Sequence, residues 1–284
     1  MNKIQQKRLN NLLEGVGDMA LKRRARKIIE GIDPRKGDKI LDLGCGDGFY
    51  LFLLSNLGLD LKLAGSDFDQ AGLEAAKRNL KNEKINLTQG DLMKHLPFDD
   101  NSFDKIVLSE VAEHLPDDLK GFKEVYRILK SGGILCLSVP NANYPFLWDP
   151  VNWILEHLFK THIKSGFWAG LWFNHVRLYK PERIKQVVQM AGFKVENVQS
   201  LTWWCLPFNH YLVNLVARLL WGSKLSPQVA SSVNKYARSG NNKPGFIKFA
   251  FGIVNWIDSL NDFYQPAEMG VGVFLKAIKQ KNTI

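Results

Sequence analysis

Along residues 37–200, short apolar runs alternate with stretches that are apolar on one face only. Lys39 to Leu43 is an apolar run entering a glycine-rich turn, and Phe49 to Leu57 is an apolar helix leaving it. Leu61 to Ser66 predicts a second strand, residues 69–82 a polar-faced helix, Ile85 to Gln89 a third strand and Phe103 to Ser109 a fourth. A helix over 117–130, closed by Ser131-Gly132-Gly133, leads to a fifth strand from Ile134 to Val139. Upstream, residues 17–31 read as a basic helix, and Gly37-Asp38 marks a turn. Strands alternating with helices predict an α/β fold, a parallel sheet with helices on both faces.

Beyond Pro140 the alternation breaks. A helix is expected near 151–163, followed by the aromatic run Phe167-Trp168-Ala169-Gly170-Leu171-Trp172-Phe173. The pattern resumes with a helix from Pro181, in the first turn where its missing N–H does no harm, to Met190. A strand starts at Phe193 and a last one is expected from Gly270 to Ile278. About 65 residues separate these two strands, too many for a plain loop, so a helical insertion or subdomain is expected there. The expected division is a basic helical segment at 1–36, a core at 37–200, an amphipathic insertion or lid at 201–269, and the last strand with its tail at 270–284. All eight tryptophans lie after residue 147, so the second half is the unusual one.

Charge sharpens this division. The net charge of +10 is +6 over residues 1–39, −2 over 40–200 and +6 over 201–284. A mildly acidic centre between basic ends suits an anionic surface or partner outside the central fold, or a basic surface with no partner. Three scattered cysteines, Cys45, Cys136 and Cys205, show neither metal-ligand nor disulfide spacing and suit a reducing compartment. Residues 1–30 show no leader-type apolar core, so a cytoplasmic location is expected, with the inner membrane face as the surface a basic protein would meet.

The chemistry concentrates in Asp42-Leu43-Gly44-Cys45-Gly46-Asp47-Gly48. Its glycines are spaced G-x-G-x-G rather than the G-x-G-x-x-G of dinucleotide enzymes. Asp42 and Asp47 would repel a pyrophosphate but suit a ligand carrying an ammonium and a sulfonium. Asp67, ending the second strand, can accept hydrogen bonds from both hydroxyls of a ribose, and Asp91, ending the third, can meet an adenine amine. The order of these stretches strongly resembles the class I S-adenosylmethionine-dependent methyltransferases. So do Leu96-Pro97-Phe98, Ser102-Phe103-Asp104, Glu113-His114-Leu115 and Leu129-Lys130-Ser131-Gly132-Gly133. Within that class the pattern is most similar to the ubiquinone-biosynthesis O-methyltransferase-like and small-molecule methylase group. The resemblance implies a Rossmann-like sheet of seven strands, the last antiparallel, and S-adenosylmethionine as cofactor. It also implies contacts from Gly44 and Gly46 to the methionine part, from Asp67 to ribose and from Asp91 to adenine. The candidate cofactor residues are Asp42, Gly44, Cys45, Gly46, Gly48, Asp67, Phe68, Asp91, Leu92 and Ser109. Ser131 stands where the family usually has proline.

A methyl donor of this kind needs an aligned acceptor, and a hydroxyl acceptor also needs a base. His114 is the first candidate, His175 the second, and Glu110 could position an acceptor or bind the cofactor. No cluster of carboxylates suggests a divalent metal. Two segments of the insertion show helical apolar spacing: Leu212, Leu215, Val216, Leu219 and Leu220, then Phe246, Phe249, Ala250, Ile253, Val254 and Ile257. Neither is long enough to span a bilayer. Either they pack on the sheet as a lid, or they lie in the plane of a membrane. On the second reading the acceptor is a hydrophobic or lipid-linked small molecule, and on the first a soluble metabolite or glycan. The basic ends also suit RNA, but no RNA-binding module is attached, and Asn141-Ala142-Asn143-Tyr144 is not the Asn-Pro-Pro-Tyr-type tetrapeptide of planar-amine methylases. A scaffold that has lost catalysis is a further alternative. Oligomeric state is not legible.

Overall fold

Seven strands form a single mixed sheet, in a computed structural model that describes residues 1–81, 84–206, 208, 211, 235–236, 245–264 and 266–281. The strands are β1 (Lys39–Leu43), β2 (Lys62–Asp67), β3 (Asn86–Gln89), β4 (Phe103–Ser109), β5 (Leu129–Pro140), β6 (Lys194–Leu201) and β7 (Gly272–Ile278). Their order is β3-β2-β1-β4-β5-β7-β6. The first five run parallel, and β7 runs antiparallel to both β5 and β6.

Among the described residues the α-helices are α1 (Lys3–Leu13), α2 (Met19–Ile32), α3 (Phe49–Ser55), α4 (Gln70–Leu80), α5 (Asp118–Ile128), α6 (Pro150–Phe159), α7 (Pro181–Met190) and α8 (Gly245–Phe263). Two apolar clusters cover the sheet's faces. One gathers Phe122, Val125 and Ile128 of α5 with Ile184, Val187 and Val188 of α7. The other gathers Ala25, Ile28, Ile29 and Ile32 of α2 with the apolar α3. Asp18, Asp69 and Asp117 each cap a helix by accepting a backbone N–H of its first turn.

Two expectations need amendment. Helix α1, with a capping box at Asn2 and Gln5, precedes the expected basic helix and was not anticipated. Ser131-Gly132-Gly133 does not close a helix but lies inside β5, where the pairing with β4 shifts register between Phe103 and Lys105. Gly132, at φ +80°, supplies the irregularity. The segment Leu212 to Leu220 lies outside the described residues.

Candidate active site

The carboxyl ends of β1, β2 and β4 converge, as parallel pairing with Asp42 opposite Gly65 and Val107 requires. The glycine turn is pinned to β2: the N–H groups of Gly44 and Cys45 both donate to the Ser66 carbonyl, at 2.7 and 3.0 Å. Gly44 sits at φ +79°, and a Cβ there would lie 2.2 Å from Val111 Cγ2. Gly46, at φ +48°, has nothing within 4 Å of where a Cβ would be, so its outer face is open to a ligand.

Three carboxylates crowd this turn. Asp67, expected to meet a ribose, accepts from the Gly46 N–H at 2.6 Å and the Asp69 N–H at 2.8 Å, so it also braces the turn. Asp42 is buried, and its Oδ2 has no hydrogen-bond partner. Burial first, then the neighbouring Asp67 and Asp47, push its carboxyl up to about 8. A buried, unsatisfied acid beside two others is a site that a cation would relieve. The Cys45 thiol faces the other way: it is buried near Gly65, and burial pushes its pKa up. Only its main chain borders the turn.

Phe68 is 70% exposed directly after Asp67, a free ring at the strand edge suited to stacking on a base. Asp91 accepts from the Met93 N–H at 2.8 Å and keeps its other oxygen near Lys94. Leu92 is buried in the core. At the end of β4, Ser109 Oγ is 2.9 Å from both Tyr50 Oη and Ser138 Oγ, and Ser138 donates to Glu110 at 3.0 Å. Glu110 adopts φ +57°, an uncommon conformation for its type, and its other oxygen pairs with Arg24 of α2 at 3.0 Å. Arg24 and Tyr50 were not singled out in the sequence, because their roles depend on α2 and α3 folding back over the strand ends.

His114 and His175 do come together, with ring centroids 4.8 Å apart. Between them lies Glu113, fully buried, its carboxylate oxygens unbonded and Oε1 3.9–4.0 Å from each Nε2. Burial, and then Glu110, hold this carboxyl well above its ordinary range. His114 Nδ1 lies 3.0 Å from the Asn174 carbonyl, which can only accept, so in the neutral ring Nε2 is left as the proton acceptor. The ligand atoms of these three residues lie within 4.8 Å of one another, a grouping that separation in sequence concealed. That spread exceeds the ~3.0–3.4 Å edges of a centre with ~2.1 Å bonds. It fits proton exchange through one bridging molecule better than closed metal coordination.

The second half organises around this edge. Buried Asp149 accepts from the Asn152 and Leu171 N–H groups at 3.1 Å and from Tyr211 Oη at 2.6 Å, fixing α6 against the aromatic run. Within that run Ala169 to Leu171 are buried, whereas Trp168 and Phe173 are half exposed. Lys235 reaches across to Asp47 at 2.7 Å, and Tyr236 donates to the Asp47 carbonyl at 2.8 Å. Part of the insertion therefore touches the cofactor turn itself.

The profile of a family described as "Methyltransferase domain" matches residues 41–137. The demethylmenaquinone methyltransferase of Staphylococcus aureus is 35% identical over 205 residues, covering 69% of this chain and 83% of that protein. The chain belongs to the class I S-adenosylmethionine-dependent methyltransferases. The demethylmenaquinone methyltransferase of Staphylococcus carnosus is 31% identical, covering 62% of this chain and 76% of that protein. Among solved structures, a putative methyltransferase of Bacillus halodurans shares the fold at a TM-score of 0.54 and 18% identity, covering 90% of this chain and 99% of that one. Haemonchus contortus phosphoethanolamine N-methyltransferase 2, solved with phosphomonomethylethanolamine and S-adenosylhomocysteine, gives 0.55 and 19% identity, covering 90% of this chain and 52% of that one. S-adenosylmethionine is the cofactor of this methyltransferase, and the residues fit it: the unsatisfied Asp42 would suit its cationic part, the open face of Gly46 would admit it, and Asp67, Phe68 and Asp91 stand along the strand edge, where its nucleoside could lie. When bound, it supplies an electrophilic methyl group on a positively charged sulfur.

Proposed function

We propose that this methyltransferase acts on a hydroxyl of a hydrophobic, lipid-linked ring compound, with His114 as the base. The observation that carries the reading is the His114 imidazole, its tautomer set by the Asn174 carbonyl and its Nε2 turned toward His175 and Glu113. An acceptor hydroxyl gives its proton to Nε2, and the oxygen is left free to attack. Glu113, whose proton burial and then Glu110 hold more tightly than in an ordinary carboxylic acid, lies behind the two imidazoles as a positioning residue. Glu110, locked by Arg24 and Ser138, positions the acceptor or the strand edge. The name of the staphylococcal relatives supports a prenylated quinol as the acceptor class, and so do the exposed Trp168 and Phe173 beside the Asp149-centred segment. Such an acceptor resides in a membrane, so the enzyme would meet it at the inner membrane face.

The test is mass spectrometry of lipid and polar extracts, and of a reduced prenylated quinone, incubated with the protein and isotopically labelled donor. Label on a ring oxygen of a lipid is expected. Label confined to soluble metabolites would overturn the lipid-linked acceptor. Label on a ring carbon would overturn O-methylation while keeping the acceptor class, because deprotonating a quinol hydroxyl also makes the neighbouring carbon nucleophilic.

A further inference from the structure

Helix α8 carries polar anchors on its inward side, among the partly buried Phe251, Val254 and Ile257. Asn255 accepts from Lys22 Nζ at 2.7 Å, and Asp258 from Arg23 Nε at 2.5 Å. Asn261 accepts the backbone N–H groups of Trp203 and Trp204 at 2.7 and 2.8 Å. Its outward positions are apolar: Phe249 is 72% exposed, Ile253 41%, Trp256 65% and Phe263 86%. At 100° per residue these four fall within about 80° of one another, opposite the polar row. This corrects the sequence expectation, in which Phe249 and Ile253 belonged to a face that also held Val254 and Ile257; the latter two are partly buried. The helix is anchored by charges and amides as well as by apolar contacts, yet it turns its largest apolar side chains outward.

The carboxyl end of this row borders a cavity of about 420 Å³ lined by Arg23, Arg26 and Lys27 together with Phe263 and Tyr264. Asp262 in its wall is taken up by Arg23 at 2.9 Å, and Glu30 is the other acid there. Arg26 has a buried Nε without a hydrogen-bond partner, and neither Arg26 nor Lys27 forms an ion pair among the described residues. Aromatic rings beside unpaired cations complement an anionic lipid surface, and no helix among the described residues is long and apolar enough to cross a membrane.

We propose that α8 is an in-plane docking helix whose outward aromatic row enters the headgroup boundary of an anionic bilayer, with a lipid phosphate received by Arg26 and Lys27. The proposal names the membrane partner of the function given above and rests on that reading for its purpose, but its test needs no acceptor. The full chain is floated with phosphatidylcholine vesicles and with vesicles of equal parts phosphatidylcholine and phosphatidylglycerol. Binding is expected only to the anionic vesicles and should weaken with salt. The pair Trp256→Ser and Phe263→Ser, and separately the pair Arg26→Glu and Lys27→Glu, should each lower partitioning by about tenfold or more. Binding of S-adenosylhomocysteine, measured by calorimetry, reports that each variant is folded and should not change. Absence of vesicle binding by the unaltered protein would overturn the proposal. So would equal binding to both vesicle types, or binding of inorganic phosphate at Arg26 and Lys27 without vesicle binding. A dimer in sedimentation velocity that the Trp256 and Phe263 changes dissolve, with no vesicle binding, would assign the row to a second copy of the chain instead.

Discussion

Asp42 has one carboxyl oxygen without a partner, sealed under a turn where two further acids lie close. Folding raises its affinity for a proton, from an ordinary pKa of about 3.9 to about 8. Between those values the folded state binds more protons than the unfolded one, so this group makes stability fall as pH rises from about 4 to 8. A cationic ligand favours the ionised form and expels the proton. Donor affinity should therefore rise with pH up to about 8, with proton release visible by calorimetry in buffers of different ionisation enthalpy; Asp42→Asn should flatten both slopes. Gly44→Ala forces a Cβ into Val111 at an unfavourable φ and should cost about 1–3 kcal/mol in stability, read from denaturant melts, together with loss of donor binding. His114→Ala should lower turnover by roughly 10²–10⁴-fold near neutral pH. Glu113→Gln, which keeps the shape of the side chain beside the two imidazoles, should retain most activity in the same assay.

At the scale of elements, α6 and the aromatic run depend on Asp149, which is fully buried and accepts bonds from Asn152, Leu171 and Tyr211. Asp149→Ala strands those donors and should destabilise the segment by on the order of 3 kcal/mol, with amide exchange rising across residues 150–172 and little change in β1 to β4. Elements whose signals are local were readable in the sequence. β1 and β4 begin and end where the apolar pattern places them, and α7 runs from Pro181 to Met190 as its proline implies. The glycine turn with Asp42 and Asp47 was equally legible as a turn, because it is packed into seven consecutive residues, and Asp67 reaches it from the end of β2. Arg24 on Glu110, His175 beside Glu113, and Lys235 on Asp47 were not, because each pairing joins segments far apart in the chain. The polar anchors on the inward side of α8 were missed for a related reason: apolar spacing identifies a face but not the direction it points.

Taken whole, the molecule places its last strand, β7, between β5 and β6, both of which precede it in the chain. β7 pairs along seven residues of each neighbour, from Ile134 to Pro140 on one side and from Lys194 to Leu201 on the other. Among the described residues β6 has no pairing with β5, so its strand hydrogen bonds join the sheet through β7, while α7, which packs beside it, is also held by α5. During synthesis the edge of β5 must wait, unpaired, until the residues after 271 emerge and slot in. Ribosome-bound or shortened chains that stop before that point would present two open edges and be prone to aggregate, and a donor-binding half already complete in β1 to β4 would not rescue them.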